Sequence, residues 1–217
     1  MTRAYKKSAS MRELLLDTAE ALFAERGFHG ASVRDITETA NVRNASINYH
    51  FESKENLFLA VIERRIEPLA ALRRERLLET KPDPAEPETS VRHIVRSFAE
   101  PMLDFAAHGG PGWKNYCVLI AHLAVQKQWG ENTVTRKYDD HAHLFLEALQ
   151  STFPDADSYR VHCCFQFLLS TTLYAVCNNE RLDTLSSGQF RSDDLARLRA
   201  PFLDYAVGGI VNVAGKK

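Results

Sequence analysis

Asn44, Ala45, Ser46 and Asn48 lie within one stretch of five residues, and all four side chains are short. Two carboxamides, a hydroxyl and a methyl group suit close approach to base edges in a major groove. Amides and hydroxyls exchange hydrogen bonds with those edges, and a methyl packs on the thymine methyl. An ordinary surface helix would favour long charged side chains instead. Such a set needs an element that presents it as one face, and the flanking residues supply that element. Val42 and Ile47 form the apolar side of a short helix from about Asn44 to His50. Ahead of it, Ser32 can cap a first helix, with Asp35 three residues later reaching back in a capping-box pattern. Val33, Ile36 and Ala40 share one face of this first helix, while Arg34, Asp35 and Glu38 point elsewhere. Asn41 occupies the turn between the two, where a left-handed residue is wanted and Asn tolerates it best after Gly. Residues 32 to 51 therefore read as a helix-turn-helix with a polar outer face.

Two flanking motifs carry a family resemblance. The helix before the motif ends in Leu22, Phe23, Ala24, Glu25, Arg26, Gly27 and Phe28, and the motif runs out through Tyr49, His50, Phe51, Glu52, Ser53 and Lys54. Over residues 9 to 69 the chain resembles the TetR family of transcriptional regulators. It departs from the family pattern at Asn41, where Gly is usual, and at Asn48, where many members carry a second aromatic. The resemblance implies that Arg34 can reach a guanine edge and joins Arg43, Asn44, Ala45, Ser46 and Asn48 in the base-facing set. It places Tyr49, His50 and Lys54 on phosphates of a double-stranded DNA operator. Lys54 would add its ammonium to a helix N-terminus, where backbone amides favour an anion.

Composition is compatible with this reading without showing it. The chain has 217 residues and a net charge of -1, which argues against a generic polycation coating nucleic acid. Positive charge is local: Arg3, Lys6, Lys7 and Arg12 occur with no acidic residue among the first twelve. That run is either a solvated terminus or an arm adding phosphate or minor-groove contacts. The N-terminus lacks the apolar run of a secretory signal. The nearest approach to a membrane span, Val161 to Cys177, is broken by His162, Gln166, Ser170, Thr171 and Thr172, so no membrane partner and a cytoplasmic location are expected.

Catalytic and metal chemistry find no support. His141 and His143 are two residues apart, which points them to different faces of a helix, and His162-Cys163-Cys164 has the same defect. Cys117, Cys163, Cys164 and Cys177 show neither metal nor disulfide spacing and read as reduced thiols. The loop His108-Gly109-Gly110-Pro111-Gly112 lacks the Lys-Ser or Lys-Thr ending of a phosphate-binding loop. Neither an enzyme nor a cofactor is expected.

The remaining periodicity predicts an all-α chain of nine or ten helices. A first helix spans about Met11 to Arg26, with Ser10 and Glu13 as its capping box and Gly27 as its left-handed end. A fourth helix starts near Ser53, with Pro68 kinking or interrupting it before Leu69 to Glu79. Arg73, Arg74, Glu75 and Arg76 there read as a solvated face. Residues 80 to 89 hold three prolines and form a linker. Further helices follow from Ser90 to Phe105 (bending at Pro101), Trp113 to Gln128, Asn132 to Thr152 and Ala156 to Asn178, and from near Ser192 to Val213.

The expected organisation is a helix-turn-helix DNA-binding domain over 9–69 and a larger helical ligand-binding and dimerisation domain over 70–217. One copy can bury the two apolar faces formed by Phe165, Leu168, Leu169, Thr172, Leu173 and Val176 and by Phe202, Leu203, Val207, Ile210 and Val211. The resemblance implies instead that these last two long helices pair in a homodimer, with Thr171, Thr172, Ala175, Gly208 and Gly209 allowing close approach. It also implies a pocket for a small apolar effector, with Phe98, Met102, Leu103, Trp113, Tyr116, Cys117, Ile120, Phe165, Leu169 and Leu173 as candidate lining, although such stripes are usually plain core. The C-terminal half resembles, more weakly, the PsrA-type TetR-like regulators, which would imply a long-chain acyl effector. A ligand-responsive repressor, an effector-free DNA-binding dimer acting as activator or organiser, and an enzyme or adaptor that has lost DNA binding are the three readings in competition. The intact Arg34, Tyr49, His50 and Lys54 argue against the last.

Overall fold

The computed structural model describes residues 3–124 and 133–216. Among these residues the chain forms ten helices and no strand: α1 (Arg3–Gly30), α2 (Val33–Thr39), α3 (Ala45–Phe51), α4 (Lys54–Leu78), α5 (Pro87–His108), α6 (Pro111–Ala124), α7 (Thr133–Thr152), α8 (Ser158–Val176), α9 (Arg181–Leu185) and α10 (Leu195–Ala214).

Local chemistry explains most of the ends. Ser32 caps α2, its hydroxyl accepting from the Asp35 amide at 3.1 Å while its own amide donates to the Asp35 carboxylate at 2.8 Å. Those hydrogen bonds hold the Asp35 carboxyl below its ordinary range. Ser53 caps α4 by accepting from the Asn56 amide, and Asp157 and Asp194 cap α8 and α10. Gly27, at φ +71°, supplies the non-helical residue inside the long first helix.

Several boundaries differ from the sequence-based expectation. Ser10 does not start α1: the helix begins at Arg3 and runs through it. Pro68 does not interrupt α4, which is one helix of 25 residues from Lys54 to Leu78 and so passes straight through the expected boundary at 69/70. Pro101 likewise sits inside a continuous α5, which starts at Pro87, the position where proline's missing amide donor is not needed. Ser90 is therefore interior, and its hydroxyl accepts from the Asp83 amide and donates to the Asp83 carbonyl, pinning the linker. Ser192 does not cap α10 either; its amide donates to Asp183 beside the short, unexpected α9. The expected helix ends at Gln128 and Asn132 lie outside the described residues.

One hydrophobic core runs through the molecule. At its N-terminal end Leu15, Leu16, Ala19 and Phe23 of α1 close on Ile36, Ile47, Leu57 and Val61. Phe23, Phe28 and Phe58 meet edge-on or tilted there, with centroids 5.1 to 6.0 Å apart. Phe28 is half-buried, whereas the fully buried Phe23 and Phe58 contribute about 1.5–3 kcal/mol each. In the larger half α5 is the central helix, packed on α4, α6, α7, α8 and α10. Polar clamps reinforce these contacts: Arg76 of α4 and Arg199 of α10 both reach Glu100 and Asp104 of α5.

Candidate nucleic-acid interface and internal cavity

Asn41 takes the left-handed turn at φ +53°, and the Val42 amide donates to the Thr37 carbonyl at 2.9 Å, swinging the chain from α2 into α3. Ile47 and Phe51 then anchor α3 in the core at 0% and 5% exposure. That anchoring turns the opposite side outward. Arg43, Asn44, Ala45, Asn48 and Tyr49 are exposed, and Ser46 and His50 are half-buried. Tyr49 is 78% exposed, an unusual position for a large aromatic without a partner surface.

Two members of the set have partners within the chain. The buried Thr37 hydroxyl donates to the side-chain oxygen of Asn44, so that carboxamide also ties α3 to α2. The Arg34 guanidinium donates from Nε to Glu38 at 2.7 Å along the exposed side of α2, and this bond raises its pKa further. Lys54 stands at the first position of α4 with Nζ 4.3 Å from the centroid of the Phe28 ring, which fixes the ammonium beside the helix N-terminus. Arg12 lies over Phe51, 5.1 Å from its centroid. The side chains of Arg3, Lys6 and Lys7 lie outside the described residues.

Deeper in the molecule, α4, α5, α6, α7 and α8 enclose a cavity of about 330 Å³ with mostly apolar walls. Of the ten residues expected to line it, Phe98, Met102, Tyr116, Ile120, Phe165, Leu169 and Leu173 do so. Leu103, Trp113 and Cys117 are buried but do not form its walls. Trp113 instead stacks flat on Phe105 at 3.8 Å, and burial pushes the Cys117 thiol up to about 12, leaving it a plain neutral thiol. Sequence reasoning missed the wall contributed by α4 itself, including Phe58, Ile62, Ile66 and Leu69. Their apolar spacing was visible, but nothing in a sequence separates a helix face that meets core from one that meets a void.

Arg73 is the sharpest correction. Expected on a solvated face, it is only 8% exposed and lies in the cavity wall. Its Nε donates to the Phe98 carbonyl at 2.7 Å, and the guanidinium sits 3.9 Å from the centroid of the Phe98 ring. Of its neighbours, Arg74 and Glu75 are exposed as expected.

The chain matches the family model described as "Bacterial regulatory proteins, tetR family" over residues 15–61 and the one described as "Tetracyclin repressor-like, C-terminal domain" over residues 96–209. The chain belongs to the TetR family. The relatives it matches are transcriptional regulators. Among curated TetR-family relatives it is 32% identical over 103 residues to the HTH-type transcriptional activator FasR of Mycolicibacterium smegmatis, a match covering 48% of this chain and 43% of that one. The negative transcriptional regulator IcaR of the biofilm operon icaADBC in Staphylococcus epidermidis is 34% identical over 53 residues, 24% of this chain and 29% of that one. The chain therefore aligns with less than half the length of these relatives.

Solved structures share the fold. The ketosteroid transcriptional regulator KstR2 of Mycobacterium tuberculosis superposes with a TM-score of 0.64 at 20% identity over 91% of this chain and 93% of that one. FadR of Bacillus subtilis, solved in complex with stearoyl-CoA, does so with a TM-score of 0.55 at 16% identity, over 91% and 98%.

Within this TetR fold the helices expected to pair show a division of labour. Phe165, Leu168, Leu173 and Val176 of α8 and Phe202, Val207 and Ile210 of α10 face the chain's own core, so the apolar faces named from sequence are buried within one copy. The opposite sides carry Phe167 and Tyr174 on α8 and Tyr205 on α10, exposed at 58%, 59% and 71%, beside the exposed Gly208 and Gly209. Among the described residues no helix is long and apolar enough to cross a membrane.

Proposed function

We propose that the chain is a cytoplasmic homodimeric repressor, with a DNA-binding unit over 9–69 and an effector and dimerisation unit over 70–217, released from a palindromic operator by a small apolar effector. The observation that carries this reading is the cavity, because α4 both forms one of its walls and begins at Lys54 beside the recognition helix. A ligand that prefers one arrangement of these walls acts on the helix that positions the DNA-reading face, which is the requirement for shifting operator affinity. The mostly apolar lining gives the effector class. FadR, with its stearoyl-CoA, makes an acyl compound a reasonable first candidate. The exposed Phe167, Tyr174 and Tyr205 support pairing through α8 and α10, and two half-sites supply the specificity that one short helix lacks.

One observation favours a second reading of the sign of regulation: FasR is an activator. Binding-site selection from random duplexes, followed by transcription from the selected site, separates the two. A palindromic site that blocks transcription until an apolar ligand is added supports the proposal. A cavity-filling Ala142→Trp variant should keep operator affinity and lose the response, since Ala142 lies in the wall. A non-palindromic site, or an unaltered response in that variant, counts against it.

A further inference from the structure

The cavity wall holds a buried cation, Arg73. Among the described residues no carboxylate lies within 4.0 Å of the Arg73 guanidinium, although it is more than nine-tenths buried. Its protein partners are the Phe98 carbonyl and ring and, weakly, the Met102 sulfur at 3.7 Å. An arginine carries five N–H donors in a planar fork that matches a carboxylate, so most of its hydrogen-bonding capacity is unused here. Burying a charge in apolar surroundings is costly, and a hydrophobic residue of similar size would stabilise the fold better. Burial lowers the Arg73 pKa only to about 10, so the group is a cation at neutral pH. Nearby the Tyr116 and Tyr138 hydroxyls are hydrogen-bonded to each other in the same wall. Asp139, the acidic residue of the lining, is exposed at the rim on α7.

Resting on the proposed effector site, we infer that the ligand is a free carboxylic acid with an apolar body, whose carboxylate enters the cavity and pairs with Arg73. The rest of the wall, from Ile62 and Ile66 to Phe145 and Leu173, takes the hydrocarbon. A cavity of about 330 Å³ suits a medium-length chain. Esters and thioesters of the same acid offer no anion at that point and leave the guanidinium unpaired. The placement also has a mechanical consequence. Arg73 lies nineteen residues beyond Lys54 on the same helix, roughly 28 Å along its axis. The anion thus attaches to the helix whose far end holds the phosphate-binding lysine.

The test is calorimetric titration of the full-length chain with dodecanoate, methyl dodecanoate and dodecanoyl-CoA. The wild type should bind the acid about 10- to 150-fold more tightly than the methyl ester, the range for a hydrogen bond to a charged group. Arg73→Met should bring acid and ester to within about twofold, while Arg73→Lys keeps part of the preference. Thermal unfolding of both variants shows whether the fold is intact, and the lysine variant keeps the test open if the methionine variant does not fold. Equal binding of acid and ester by the wild type, an undiminished preference in Arg73→Met, or binding of the thioester alone overturns the inference while leaving an effector cavity in place. Failure of all three compounds to bind overturns the cavity reading along with it.

Discussion

Among the described residues no hydrogen bond engages the side-chain polar groups of Ser46 and Asn48 on the outer face of α3, whereas the Asn44 oxygen already takes the Thr37 hydroxyl. Ser46→Ala should therefore change sequence preference cleanly, by about 1–3 kcal/mol at the base it meets if that contact is well buried. Asn44→Ala should change preference and loosen the turn together. Binding-site selection with each variant checks this, and an unchanged preference for Ser46→Ala would remove it from the base-facing set. For Lys54 we propose the complementary role: its ammonium lies over Phe28 at the start of α4 and meets a phosphate there. Lys54→Ala should weaken binding to all duplexes alike and make the salt dependence shallower by about one unit. A change in which sequence is chosen would contradict that role.

At the scale of elements, the joint between the DNA-reading helices and the core is ionic. Glu20 of α1 is 1% exposed, accepts from Arg65 at 3.1 Å and pairs with Arg64 as well. Arg64 also holds Asp17, and Arg65 lies 5.1 Å from the centre of the Trp113 ring at the start of α6. A Cβ at Gly112 would lie 2.2 Å from the Arg65 guanidinium, which would have to shift to admit it. Glu20→Ala leaves Arg65 without its anion, while Arg64 keeps Asp17, and should cost about 3 kcal/mol, the lower end for breaking a buried pair, read from denaturant unfolding. A loss below about 1 kcal/mol would mean the joint is solvated. Sequence made some of these elements legible. Ser32 with Asp35, Asn41 in the turn and the apolar spacing of α1 to α3 each follow from local rules, and the structure shows them. Pro68, expected to kink or interrupt its helix, lies inside a continuous α4, as Pro101 lies inside a continuous α5, because tertiary packing carries both helices through them. Arg73 was misread because a basic cluster on a helix looks solvated until its neighbours are known, and neighbours 25 and 29 residues away are invisible to local spacing.

For the molecule as a whole, operator binding by the proposed homodimer requires two copies whose α3 helices meet successive major grooves, roughly 34–36 Å apart. Gly208 offers a discriminating test of the pairing. A Cβ at this position meets nothing within 4 Å, so one copy accepts a larger side chain there without strain. Gly208→Leu should leave helix content and thermal unfolding of the single chain nearly unchanged while shifting sedimentation from dimer to monomer. An unaltered dimer would place the interface elsewhere. The central claim, that an apolar ligand in the cavity controls operator binding, is tested most directly by operator affinity measured with and without saturating dodecanoate at fixed salt. Weakening by about 5- to 150-fold is expected, the coupling of roughly 1–3 kcal/mol that such two-site systems supply. An operator affinity that stays the same while calorimetry shows the ligand bound would contradict it.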